Sequence, residues 1–551
     1  MRVRSAFRWL LPAIVVLAWL GAAGPLASFG GKLTAVQQND SAAFLPDSAE
    51  STRVTALDRR FLTTDALPVI LLWEGNGALG DVARAEIGRR VTAAVTGLEA
   101  RNVLAGPASP AIPSADGRAV QAVLPLRTDL RDQLPGLVAD LRALPPVAGA
   151  TAYVTGPAAL FADFANGFSG IDGLLLLAAF GVVLLILLVI YRSPLLPLLV
   201  IGTAGLALTA STAVAYALAK PGWIAVDGQS QGIAAILVVG AATDYGLLLV
   251  ARFREELSRE RSRLAAMRTA LRRSRGPILA SGATVILGVL GLLLSDLASN
   301  RGLGPISAVS VLLALLAALT FLPATLVLLG RAAFWPFQPR VGDSSARASG
   351  WQRAALVVDR RPGRVLGWSV AGLLVLAALA PTFDARGTSL TDAVRGGSPA
   401  ATGQVALARH FDVGAATPAV VITPARDWTT VAGAAAAVPG VVRVAPDTGA
   451  PTSAPAQPGG EPKVVNGLVR LEAVLGQAPD SDAALDTVAQ LRAAVHRADP
   501  RALVGGATAS TLDARNTGAR DLRVIVPAVL LVVGVVLALL LRALVAPLLL
   551  V

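Results

Sequence analysis

The residues best placed to do chemistry are Asp244 and Tyr245, in the stretch Gly240-Ala-Ala-Thr-Asp-Tyr-Gly246, because they interrupt an apolar run, Gln231–Ala251. As a helix that run can cross a ~30 Å hydrocarbon layer, and Asp244, 13 residues in, lies roughly 20 Å from its start. A carboxylate at such depth costs ~2.5–3.5 kcal/mol on insertion scales, so these groups usually face the protein interior and serve an ion or substrate path. The cost falls on the charged form, which suits a group that takes up and releases a proton. Tyr245 can donate or accept a hydrogen bond to it and Thr243 adds a hydroxyl, while Ser281 and Thr284 on the next apolar run are further neighbours. The same residues fit a purely structural role, with a neutral Asp as interhelical glue and hydroxyls bonded to their own helix backbone. Asp296, beside Asn300 and Arg301, reads as a solvated span end.

Other chemistries have less behind them. There is no cysteine, which excludes disulfides, thiolate metal sites and thiol nucleophiles. His410 and His496 lie far apart in a polar region and read as solvated surface residues rather than metal ligands. Gly228-Gln-Ser230-Gln-Gly232 matches a nucleophile-elbow pattern, but it follows no strand and has no nearby base, so a membrane-embedded hydrolase is a distant reading. No catalytic residue, cofactor or metal is expected.

What positions Asp244 is a membrane. The chain has 551 residues, 54% apolar and 15% charged, against about 25% charged in a soluble globular protein, which excludes a soluble enzyme. Long apolar runs predict spans near Trp9–Phe29, Ile171–Tyr191, Leu195–Leu218, Gln231–Ala251, Pro277–Ala298, Pro305–Leu329, Val365–Phe383 and Leu522–Leu541, with a ninth starting at Leu544. A cleaved signal peptide at 1–29 is the alternative for the first, but its apolar run exceeds the usual core of about 7–15 residues. Arg2, Arg4 and Arg8 put the amino terminus on the cytoplasmic side. Alternate crossings then put 252–276 and 331–364 inside too, and these loops carry nine and seven arginines. The net charge of +12 therefore belongs to the inner face, facing anionic lipid, and nucleic acid is not an expected partner. Phe253, Leu257, Leu264 and Leu271 form an apolar stripe among those arginines, the pattern of an interfacial helix over 252–276 or of an ordinary basic connector.

The same parity puts 30–170 and 384–521 outside. The first alternates strand and helix at Leu67–Trp73, Gly80–Ala100, Ala119–Leu126, Leu130–Leu144 and Thr151–Thr155. The second does so at Ala419–Thr423, Thr429–Ala437, Val441–Ala445, Val464–Val474, Ala483–His496 and Ala502–Gly506, with a flexible connection at Pro446–Pro462. Both approach a β-α-β-β-α-β ferredoxin-like unit, with only one strand of the middle pair evident in the first.

Shifting the sequence by 350 residues pairs Pro68 with Pro418, Val154 with Val504, Gly156 with Gly506, Asp163 with Asp513, Arg192 with Arg542 and Pro197 with Pro547. The physical reading is a duplicated unit of one span, one outside domain and five further spans, with both copies in one orientation. The second copy is incomplete at Val551, so the chain reads as a fragment of a protein of about 700 residues or more, or as a truncated product.

Asp244-Tyr245-Gly246 followed by Leu-Leu-Leu-Val-Ala-Arg252-Phe-Arg254-Glu255-Glu256-Leu257 resembles the fourth-span signature of the MMPL exporters, the actinobacterial lipid-transport branch of the RND superfamily. Arg301-Gly-Leu-Gly-Pro305 is similar to that family as well. The resemblance implies a polytopic α-helical membrane protein with two extracytoplasmic α+β porter domains, exporting lipids or other hydrophobic molecules across the cytoplasmic membrane at the expense of the proton-motive force. It casts Asp244 and Tyr245 as half of a proton relay whose second Asp–Tyr pair would stand beyond Val551. Trimers occur in the wider superfamily, and no residue here counts subunits. The competing expectation is a non-transporting membrane scaffold, or an inactive fragment, acting in cell-envelope assembly.

Overall fold

The computed structural model describes residues 2–34, 36, 45–46, 48–61, 66–169, 171–224, 226–342, 350–379, 398–411, 418–449, 460–477 and 481–550. Helices α1 (Arg2–Ala27), α2 (Phe29–Thr34) and α3 (Glu50–Asp58) lead into a sheet unit of β1 (Ala66–Gly75), α4 (Asp81–Ala100), β2 (Ile112–Pro113), β3 (Ala119–Arg127), α5 (Leu134–Arg142) and β4 (Ala150–Thr155). Then come α6 (Pro157–Ser169), α7 (Ile171–Tyr191), α8 (Leu195–Ala219), α9 (Gly228–Arg259), α10 (Arg263–Leu290), α11 (Ala298–Leu329), α12 (Gly350–Arg360) and α13 (Pro362–Ala378). After α14 (Pro399–His410) the second sheet unit holds β5 (Ala419–Pro424), α15 (Trp428–Ala436), β6 (Val441–Pro446), β7 (Val464–Val465), β8 (Leu468–Leu475), α16 (Asp482–Ala498) and β9 (Leu503–Gly505), followed by α17 (Ala507–Leu541) and α18 (Val545–Leu550).

Among the described residues six helices are long and apolar enough to cross a membrane: Trp9–Ala27, Leu195–Ala219, Gly228–Arg259, Arg263–Leu294, Ala298–Phe334 and Ala507–Leu541. The chain is a polytopic membrane protein. The span expected at Val365–Phe383 corresponds to α13, 17 residues with none buried, and its last positions fall outside the described residues. Helix α11 packs against α1, α8, α9 and α10. Small side chains allow that closeness: Ala204 and Ala207 of α8, Ala242 of α9, and Ala314 and Ala317 of α11 share one cluster. A Cβ on Gly246 would lie 3.1 Å from the Val200 side chain and 3.4 Å from that of Leu322, so glycine sets the approach of α9 to α8 and α11.

The surface helix expected over 252–276 is instead the ends of two membrane helices. Glu260 leaves the helical region, and Ser262 starts α10 afresh by accepting from the Ala265 amide at 3.4 Å. The stripe of Phe253 and Leu257 is fully buried against Ala266, Met267, Ala270 and Phe334, with Leu264 and Leu271 partly buried beside it. Arg331 donates to the Leu257 and Glu260 carbonyls at 2.8 and 2.9 Å, satisfying the end of α9. Buried Glu256 takes Arg273 at 2.9 Å, tying α9 to α10.

The sheets run β2-β3-β1-β4 and β6-β8-β5-β9, antiparallel throughout, the strand order of a ferredoxin-like unit in each case. β2 is only two residues long, in a stretch where Pro107, Pro110 and Pro113 remove ladder donors. The single strand expected at Val464–Val474 is a hairpin: Asn466 (φ 50°) and Gly467 (φ 74°) turn β7 back onto β8, as a type I′ turn requires. The connection read at Pro446–Pro462 lies partly outside the described residues.

Alternation along the central strands gives each sheet two apolar faces. Val69, Leu71 and Trp73 pack with α4 and α5, while Ile70 and Leu72 meet Ala406 and Leu407 of α14. In the second sheet Ala419 and Val421 pack with α15 and α16, while Val420 and Ile422 meet Val54 of α3 and Phe61. The short helices are therefore crossed: α3, preceding the first sheet, covers the second, and α14, preceding the second, covers the first. Positions 350 apart also share local geometry. Gly156 (φ 91°) and Gly506 (φ 98°) are left-handed, and a Cβ there would stand 3.0 Å from the Pro68 carbonyl and 2.8 Å from that of Pro418. Arg192 and Arg542 are left-handed too, at φ 52° and 49°.

Candidate functional site

The α9 framework turns Asp244 and Tyr245, about 100° apart around the helix, to an exposed and a buried face respectively. Tyr245 is 1% exposed and points into the cluster formed with α8, α10 and α11. Its hydroxyl lies 3.3 Å from where a Cβ on Gly282 would stand, so Gly282 makes room for it. Ser281 is close enough to interact with that hydroxyl but not in hydrogen-bond geometry, which leaves a buried phenol without a hydrogen bond. Asp244 is exposed, contrary to the expectation that it faces the protein interior. It sits on an uncovered stripe with Ile233, Ile236, Gly240 and Leu248, spaced three or four residues apart, and makes no hydrogen bond or ion pair among the described residues. Spacing along a helix says which residues share a face, not which face the fold covers.

Of the other residues singled out, Thr243 donates to the Val239 carbonyl at 2.6 Å and Thr284 to that of Ala280 at 2.9 Å. Both hydroxyls are thus engaged by their own helices. Ser230 donates to Asp227 at 2.6 Å, and its amide does so at 2.8 Å, which makes the Gly-x-Ser-x-Gly match a helix cap. Asp296 is not simply solvated. It pairs with Arg520 of α17, while the adjacent Asp521, 3% exposed, accepts from Ser295 and from the Asp296 amide at 3.0 Å.

Neither histidine is a free surface residue. His410, its side chain 7% exposed, lies between Asp116 at 2.7 Å and Glu74 at 2.9 Å. His496 bonds Glu50 at 2.9 Å. Two buried ion pairs escaped sequence reading altogether: Arg142–Asp163 at 2.6 Å and Arg492–Asp513 at 2.5 Å. The signal was there, since an Arg 21 residues before an Asp recurs 350 residues later. Burial works to raise Asp163, but Arg142, the Ser398 hydroxyl and the Ala400 amide bonded to it hold its carboxyl below the usual range.

Comparison with known proteins agrees with this architecture. The MMPL family profile matches residues 43–365 and 425–551. SCO0839 of Streptomyces coelicolor, named as a membrane protein, is 49% identical over 95% of this chain and 74% of its own length. ActII-3 of the same organism, also named as a membrane protein, is 41% identical over 99% of this chain and 74% of its own length. The apo-petrobactin exporter of Bacillus anthracis is 30% identical over 72% of this chain and 55% of its own length. A carboxylate in the middle of a transmembrane helix, two sheet units and this similarity over most of its residues together make the chain a member of the MMPL family.

Proposed function

We propose that the chain works as a proton-coupled exporter of lipids or other hydrophobic molecules across the cytoplasmic membrane, with its sheet units as paired outside porter domains. A relative named as an exporter and another named as a transport protein support transport, and a transporter needs no catalytic residue or cofactor. The observation that carries proton coupling is Asp244, in the middle of a transmembrane helix and without a bonding partner among the described residues. An unpaired carboxylate in hydrocarbon is costly, so its stripe suits a wet cavity or a second polar surface more than lipid. The stripe on α9 is where the second Asp–Tyr pair of the relay would stand. Tyr245, next to it, holds a buried hydroxyl free to accept or donate a hydrogen bond when α10 shifts.

Matched strand order, matched left-handed glycines and matched Arg–Asp pairs at an offset of 350 support a duplicated architecture with both copies in one orientation. The arginine-rich end belongs inside, with the amino terminus, where exposed Arg268, Arg272 and Arg275 on α10 face anionic headgroups. The test is export of a labelled lipid from proteoliposomes with an imposed pH gradient. Asp244→Asn in the full protein should abolish gradient-dependent export, and unchanged export refutes the relay. A scaffold predicts a silent Asp244→Asn and loss of envelope assembly on deleting residues 31–165.

A further inference from the structure

Helix α14 is fastened to the first sheet at both ends. At its start Asp163 accepts from the Ser398 hydroxyl at 2.6 Å and the Ala400 amide at 2.9 Å, while Arg142 holds the same carboxylate. Thr155 donates to the Ala400 carbonyl at 2.7 Å, and Gly403 passes so close that a Cβ would stand 2.9 Å from Thr155. At its end both nitrogens of the His410 ring meet carboxylates, Glu74 from β1 and Asp116 from the turn before β3. Arg409 of α14 also binds Glu74 at 2.9 Å, and Arg84 and Arg118 flank the turn.

We infer that His410 is a pH-dependent pin, holding the carboxyl end of α14 on the first sheet while its ring is protonated and letting it go once the ring loses that proton. An imidazole donates from both nitrogens only when protonated. Loss of that proton leaves a lone pair facing a carboxylate, so one of the two bonds becomes a repulsion. Asp116 cannot relieve this by taking a proton, because the Ser114 hydroxyl, the Arg118 amide and His410 hold it far below the usual carboxylate range. For His410, burial disfavours the charge, but Asp116 and Glu74 outweigh it and raise the group above its ordinary value of 6.5. A group raised on docking contributes fully below its free value and loses that contribution as pH rises through its docked value. Asp163, lowered rather than raised, keeps the start of α14 in place across the same range.

The reciprocal helix has no such dependence on one ring. Glu50 at the start of α3 accepts from the Val504 amide at 2.6 Å and Arg492 at 3.2 Å as well as from His496, whose side chain is 41% exposed. At its end Asp58 is held by Arg470 at 2.5 Å. Guanidinium groups do not titrate in this range.

His410 and His496 can be followed by NMR in the full-length protein carrying ¹³C-histidine, with His410→Gln and His496→Gln assigning their signals. His410 should titrate above 6.5. Hydrogen exchange of residues 399–410, normalised to 50–58 and corrected for intrinsic rates, should gain about tenfold between pH 6 and 9 for each unit by which His410 is raised. His410→Gln should make that ratio flat, and Asp116→Asn should bring the titration back toward 6.5. A flat ratio in the unmodified protein, an equal pH response in His410→Gln, or a titration unmoved by Asp116→Asn overturns the assignment. None of these readouts depends on transport, so they fail or succeed apart from the proposed export.

Discussion

On the first sheet, α14 is held at its start by Asp163 and at its end by a histidine between two carboxylates, whereas on the second, α3 is held by Asp513, Glu50 and the buried Arg470. The strand order, the glycine before the next helix and the Arg–Asp pair are common to both units. What differs is the chemistry at the far end of the crossed helix. A shared backbone plan thus leaves room for one unit to respond to pH while the other stays fixed, because a pin needs only a polar group at the helix end and not a particular one.

The largest expected effect separates the Arg–Asp pairs. Asp513→Ala strands Arg492, whose side chain is 14% exposed, and should cost about 3 kcal/mol. Asp163→Ala strands the more solvated Arg142, 27% exposed, and should cost about 2 kcal/mol. Thermal unfolding of the purified protein measures both, and a reversed order breaks the ranking. Next, Gly506→Ala and Gly156→Ala should each lose about 2 kcal/mol, since each adds a Cβ against a proline carbonyl at a left-handed position. Equal losses would sharpen the equivalence of the units, and tolerance at one site would break it.

A smaller effect distinguishes the ends of the crossed helices. His410→Gln should destabilise by about 1 kcal/mol at pH 6 and by nothing measurable at pH 9, whereas Asp58→Asn should cost a similar amount at both. Denaturant midpoints at the two pH values give the comparison. Smallest of all, Arg101→Ala breaks an ion pair with Asp140 that is exposed on both sides and should change stability by less than about 0.5 kcal/mol.

Much of this was readable in the chain. Runs of apolar residues mark membrane helices because no other local structure satisfies a backbone in hydrocarbon, and α8, Leu195–Ala219, lies within one residue of the bounds expected for it. The strands expected at Leu67–Trp73 and Ala119–Leu126 lie within β1 and β3. The hairpin at Asn466-Gly467 is also written in the sequence, as a favoured two-residue turn, but it sits inside a longer apolar run that masks it. β2 was not readable, since two residues among prolines carry no periodicity. The role of His410 was hidden for a different reason: Glu74 and Asp116 are 336 and 294 residues away, and no local rule links them.

By itself the sequence determined which segments are long and apolar, and that positions 350 apart carry matching residues. Those properties depend on neighbours a few residues away, or on comparing the chain with itself. Only the tertiary structure decided that α3 and α14 exchange sheets, that Tyr245 turns inward while Asp244 is left on an open stripe, and that both histidines meet carboxylates. An apolar face is satisfied by any apolar surface of the right shape, so its choice among distant partners is settled when the whole chain closes on itself.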